Sequence, residues 1–236
     1  MKKTWIVVVI LGMLAMSSCL VSSIHPFFKK KDIVYDPVLL GTWIDSDSCI
    51  WIIEQNRVSE EIFGPDRPDS TYRITYYEDD ESKGILQGTL FQLDGLDYLD
   101  FYAHPNEDHC FNDLVCMHHF PTHTLARVNY QADSIMFYWY GDEWLDELFR
   151  QKRIRIRHET VEINTDYARH LLTAPTEDLQ KFIKKYANDP RTGINVEEIF
   201  AQGYVKDDME DSGAFLKLIP YDGPLPEKRA KQVEVN

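Results

Sequence analysis

Leu39-Leu40-Gly41-Thr42-Trp43-Ile44, a short polar turn, and then Cys49-Ile50-Trp51-Ile52-Ile53 decide the fold. Two short runs rich in β-branched and aromatic residues, parted by a few polar ones, read as a strand pair. Trp43 is the expected anchor of the core beneath them. The same reading repeats downstream. Tyr72, Ile74 and Tyr76 alternate with Arg73, Thr75 and Tyr77, the two-residue period of a half-buried strand. Residues 85–93 and 96–102 flank Asp94-Gly95, the pair that favours a type I′ hairpin. Residues 125–130 and 135–140 form another pair around Gln131-Ala132-Asp133-Ser134.

In residues 135–140 both faces are bulky: Ile135, Phe137 and Trp139 on one, Met136, Tyr138 and Tyr140 on the other. A strand with only one covered face would carry polar residues on the other, so a helix is expected to cover the second. Such a helix follows. Trp144, Leu145, Leu148 and Phe149 share one helical face, with Asp142 as the expected N-cap. Arg153-Ile154-Arg155-Ile156-Arg157 then alternates as a strand, with extra strands expected at 161–163 and 169–172. Thr176 is expected to cap a helix bearing Leu179, Phe182, Ile183 and Tyr186, and a short helix is expected at 196–200. The sum is a mostly β fold: an up-and-down antiparallel barrel of about eight to ten strands, one helix inserted between late strands, C-terminal helices and a loose tail, of which residues 215–219 are the stretch that would dock on the body.

The N-terminus reads differently. Lys2 and Lys3 precede a continuous apolar run from Trp5 to Met16, followed by Ser17-Ser18-Cys19. The run is too short to cross a bilayer, which takes about 20 residues, and has the layout of a signal peptide. Met16-Ser17-Ser18-Cys19 resembles the lipobox of bacterial lipoproteins, with Met16 where Leu, Val or Ile is usual. That resemblance implies lipidation of Cys19, a membrane partner through the lipid, and a cell-envelope address. The expected organisation is a signal peptide over 1–18, a lipidated tether over 19–36, the barrel over 37–175, helices over 176–202 and a polar tail over 203–236.

The Leu-Leu-Gly-Thr-Trp opening resembles the first strand of lipocalin-like barrels. Together with Leu172-Thr173-Ala174-Pro175-Thr176-Glu177-Asp178-Leu179-Gln180-Lys181-Phe182, it is similar to a family of uncharacterised bacterial lipoproteins and secreted proteins. The similarity spans about residues 38–190. It implies a fold and an address but no activity.

Of 236 residues, 44% are hydrophobic and 13% aromatic, enough for a sizeable core, and the net charge of −14 repels a nucleic-acid backbone. No nucleophile elbow, phosphate loop or dinucleotide fingerprint occurs. Residues 104–123 concentrate His104, His109, Cys110, Cys116, His118, His119 and His123. Imidazole and thiolate are zinc and copper ligands, although the spacing matches no established site. A Cys110–Cys116 disulfide is the structural alternative. Cys49 is then the odd thiol, expected buried in a strand unless it pairs with one of those two. Arg153, Arg155 and Arg157 form a stripe: inward it would hold a ligand carboxylate, outward it would solvate the sheet. Ile154 and Ile156 are the natural inward residues. Trp43, Trp51, Trp139 and Trp144 read as core rather than as a sugar platform.

The function expected on these grounds is a non-catalytic module that binds a small apolar ligand or an envelope protein and needs no cofactor. The alternative is a zinc- or copper-binding protein, or a metal-dependent enzyme, using residues 104–123.

Overall fold

The computed structural model describes residues 20–59, 66–79, 82–103, 120–162, 168–187 and 215–226. Its centre is a closed antiparallel barrel of eight strands, a lipocalin-like architecture. Seven come in chain order: β2 (Gly41–Ile44), β3 (Ile50–Ser59), β4 (Asp66–Tyr77), β5 (Lys83–Leu93), β6 (Leu96–Ala103), β7 (His123–Gln131) and β8 (Ser134–Trp139). The ring closes through β11 (Phe215–Pro220), which pairs with both β8 and β2. Outside the ring, β1 (Ser22–Ser23) lies antiparallel to β7 and parallel to β10 (Ala168–Leu172), and β10 pairs with β9 (His158–Glu162). Closure leaves no free edge within the barrel itself.

The opening stretch forms the β2–β3 pair, with Trp43 opposite Trp51. Gly41 has φ +145°, and a Cβ there would come within 3.4 Å of the Trp43 indole nitrogen, which donates to the Leu39 carbonyl at 3.1 Å. The Gly-x-Trp spacing therefore lets the indole fold back over the strand start. Trp51 is the more deeply buried of the two, and its indole N–H donates to Asp45. The Asp94-Gly95 turn has positive φ at both residues, 53° and 79°, as a type I′ hairpin requires.

Inside the ring, Trp51, Ile53, Tyr72, Ile74, Leu90, Leu99, Phe101 and Phe137 form one continuous core. On the outside, Met136, Tyr138 and Tyr140 meet two helices, α1 (Asp142–Arg150) and α2 (Thr176–Tyr186). Leu145, Leu148, Leu179 and Ile183 supply the covering layer. The two bulky faces of β8 thus serve two cores, one filling the barrel and one beneath the helices. Each fully buried aliphatic or aromatic side chain contributes about 1.5–3 kcal/mol.

Four expectations are corrected. The segment read as a tether is part of the body from residue 20 onward. Leu20 bridges to Gly141, the Val21 N–H donates to the Tyr140 carbonyl, Ile33 bridges to Phe91, and Phe27 is buried. The segment lacks a period because each apolar residue is held by a different neighbour rather than by one repeating element. Residues 153–157 make no ladder, so the arginine-isoleucine run is not a strand, although its burial alternates: Ile154 is buried, Ile156 half-buried, and the three arginines are exposed. Part of the expected polar tail is the eighth barrel strand; Leu216 and Leu218 pack against the inner core. At the helix starts, Gly141 and Pro175 are the N-cap residues. Asp142 is instead the first helical residue of α1, and the Thr176 hydroxyl donates to the Pro26 carbonyl at 2.8 Å, tying α2 to the N-terminal segment. The expected helix at 196–200 lies outside the described residues.

Candidate functional site

Two places gather the residues that the sequence singles out. The first is where β6, β7 and the N-terminal segment meet. Asp100 interrupts the apolar run of β6, and its carboxylate is almost wholly buried. One oxygen accepts from His123 Nδ1–H at 2.7 Å and the other from the Phe27 backbone N–H at 2.9 Å. The His123 ring lies stacked on Tyr102, with centroids 4.4 Å apart. Burial pushes the Asp100 carboxyl above its ordinary range, and the hydrogen bond and charge of His123 draw it back. The pair fixes the imidazole orientation and leaves Nε2 as its other nitrogen. Ser23 faces His123 across the β1–β7 ladder, with its hydroxyl donating to the Leu172 carbonyl at 3.3 Å, and the Asp100 carboxylate clamps residues around Phe27 onto the barrel.

His170, the histidine that is buried among the described residues, is held between Asp146 at 3.1 Å and the Thr160 hydroxyl at 3.2 Å. Its two ring nitrogens are thus satisfied by α1 on one side and β9 on the other. Among the described residues no group of three or more His, Cys, Asp or Glu side chains is arranged to hold a metal. Of the proposed metal set, His123 is described; His104, His109, Cys110, Cys116, His118 and His119 lie outside the described residues, as does Cys19. Cys49 is a free, buried thiol beside Tyr76 and the Glu78 carbonyl; burial raises it, so it is not an activated thiolate.

The second place is a groove of about 520 Å³ between residues 152–157 and α2. Its cations are Lys152, Arg153, Arg155, Arg157, Lys181 and Lys185, against one carboxylate, Asp178. Asp178 pairs with Lys181 at 2.8 Å. Ile154, Phe182 and Tyr186 form apolar lining, and the Tyr186 hydroxyl donates to the Arg153 carbonyl at 3.3 Å. The structure therefore joins the three arginines to lysines of α2 that the sequence reading did not connect with them. A signal was available: Lys181 and Lys185 are four residues apart and share one helix face. For Asp100 the signal was a carboxylate inside the bulky run Tyr98-Leu99-Asp100-Phe101, which demands a buried partner. A further depression of about 730 Å³ on β2–β4, with Thr42, Ile52, Glu54 and Arg73 in its lining, mixes both charge signs.

No helix among the described residues is long and apolar enough to cross a membrane. Comparison of the chain with protein-family models, with curated proteins and with solved structures finds no match.

Proposed function

We propose that this chain is a bacterial envelope lipoprotein, anchored through lipid on Cys19, whose barrel works as a non-catalytic interaction module. The anchoring half rests on the sequence from Lys2 to Cys19. The module half is carried by one observation: the barrel interior is occupied by its own side chains. Tyr72, Ile74, Leu90, Leu99 and Phe137 all lie inside the ring and are at most 1% exposed. A small apolar ligand would have to displace this core, and interiors packed to crystal-like density resist even one added methylene. Binding is therefore assigned to the outer faces. Because Leu20 already bridges to Gly141 of the body, a lipid on Cys19 would hold the barrel close against the bilayer, with little slack.

Native mass spectrometry of the detergent-solubilised chain tests the module half. The expected spectrum shows the processed polypeptide with its lipid and no other organic adduct. A stoichiometric adduct lost on denaturation would restore the ligand-carrier reading. Labelled palmitate fed to a bacterial expression host tests the anchor; label is expected in the parent and not in Cys19→Ala, and equal labelling of both refutes it. A second reading is a zinc or copper site on residues 104–123. It has one feature in its favour, since a carboxylate holding one imidazole nitrogen is how metal-binding histidines are commonly backed. Metal analysis of the purified chain decides it: one zinc or copper per chain, lost in His123→Ala, establishes that site.

A further inference from the structure

We propose that the groove between residues 152–157 and α2 docks an extended acidic peptide of a partner protein. The proposal deepens the interaction-module reading by naming a face and a partner chemistry. It starts from a charge anomaly. The chain carries a net charge of −14, yet six cations line this one groove against a single carboxylate. Among the described residues no ion pair engages Arg153, Arg155 or Arg157. Exposed arginines on an acidic protein, facing lysines across a groove, form a local positive field that acts within about 8–10 Å at moderate salt.

The spacing selects the kind of anion. The three arginines alternate with the inward Ile154 and Ile156, as in an extended chain. Alternate residues of such a chain are roughly 6.6–6.8 Å apart. An extended peptide with acidic residues at every second position carries its carboxylates at the same interval, so each one meets a guanidinium fork. The backbone adds to this. Among the described residues, Ile154 and Arg155 make no backbone–backbone hydrogen bonds and leave amide groups for a strand laid alongside, whereas the Ile156 carbonyl already accepts from His158 Nδ1–H at 3.0 Å. Phe182 and Tyr186 give apolar contact for the residues between the acids. A long polyanion such as nucleic acid fits less well, because beyond the groove it would meet the acidic remainder of the surface.

The test uses the full chain in neutral detergent and a rhodamine-labelled peptide of alternating Glu and Val, read by fluorescence anisotropy. Two comparison peptides carry the same residues with the acids contiguous, or Gln in place of Glu. The expected result is saturable binding of the alternating peptide that weakens as salt rises. Binding should be at least tenfold weaker for the triple variant Arg153→Glu, Arg155→Glu, Arg157→Glu, and also for Lys181→Glu with Lys185→Glu. All five positions are exposed, so the circular dichroism spectrum should be that of the parent. Equal affinity for the alternating and contiguous peptides overturns the spacing argument, and with it the proposal. So does parent-like binding by both variants, or binding of phosphatidylglycerol vesicles or inorganic phosphate with none of the peptide. Failure here removes the groove as the docking face; the interaction-module reading falls separately, to an organic adduct in the native spectrum.

Discussion

The phenol of Tyr72 reports whether the barrel interior is as closed as its packing implies. Tyr72 is fully buried in the inner core, and its hydroxyl sits at the barrel end under the N-terminal segment. There it donates to the Asp36 carbonyl at 3.0 Å and accepts from the Asp36 N–H at 2.8 Å. Burial pushes its pKa from 10.0 to about 12, against a smaller lowering by the Asp36 backbone. The unfolded phenol therefore ionises first as pH rises. Between pH 10 and 12 the folded state binds more protons than the unfolded one, so the contribution of Tyr72 is fully present below pH 10 and is lost on the way to pH 12. At pH 11 the loss amounts to about 1.4 kcal/mol, and complete ionisation would bring it to about 2.7 kcal/mol. Tyr72→Phe removes the titrating group and the two hydrogen bonds together. At pH 8 the variant should be less stable by about 1–2 kcal/mol, for the lost bonds to Asp36. At pH 11 that gap should have shrunk by about 1.4 kcal/mol, because only the parent carries the ionisation penalty at this site. Urea unfolding followed by tryptophan fluorescence at both pH values measures the two gaps. A gap that stays constant from pH 8 to pH 11 would refute the reasoning, since it would mean that the Tyr72 phenol titrates alike in both states.

Three further perturbations test other parts of the architecture. Gly88→Ala puts a methyl 2.7 Å from Ile74 Cδ1 and 3.3 Å from Leu99 Cδ1, in the middle of the inner core. It should cost about 1–3 kcal/mol by overpacking, read from the urea midpoint; an unchanged midpoint would show that the interior has room to spare. Asp100→Ala leaves the Phe27 N–H and His123 Nδ1–H without their acceptor, at about 2–4 kcal/mol. Its specific sign is faster tryptic cleavage at Lys29, Lys30 and Lys31, and parent-like cleavage would show that the clamp does not hold this segment. Deleting residues 203–236 removes β11 and uncovers the edges of β2 and β8. The truncated chain should associate on size-exclusion chromatography and lose its sharp unfolding transition; a monomer with the parent's melting temperature would rule out β11 as a barrel strand.

The sequence by itself determined the elements whose signal is local. The Gly41–Trp43 spacing, the Asp94-Gly95 hairpin and the doubly bulky strand at Ile135–Tyr140 each follow from contacts within a few residues, or from the period of one face. So did the mostly β class, because enough such strands must close on a shared core. What the tertiary structure decided is of longer range. Residues 20–36 carry no period, and only pairing with β7, β10 and β5 shows that they belong to the body. Phe215–Pro220 is a short apolar run in a polar context, and its place in the ring depends on β8 and β2, strands far earlier in the chain. The arginines of residues 153–157 were legible as a stripe, but the partners that turn the stripe into a groove lie on a helix some thirty residues on. Local periodicity records which face of a segment is buried; it does not record against what. Ring closure, the Asp100 clamp and the basic groove are all made by residues distant in sequence, so their position could emerge only once the chain had folded.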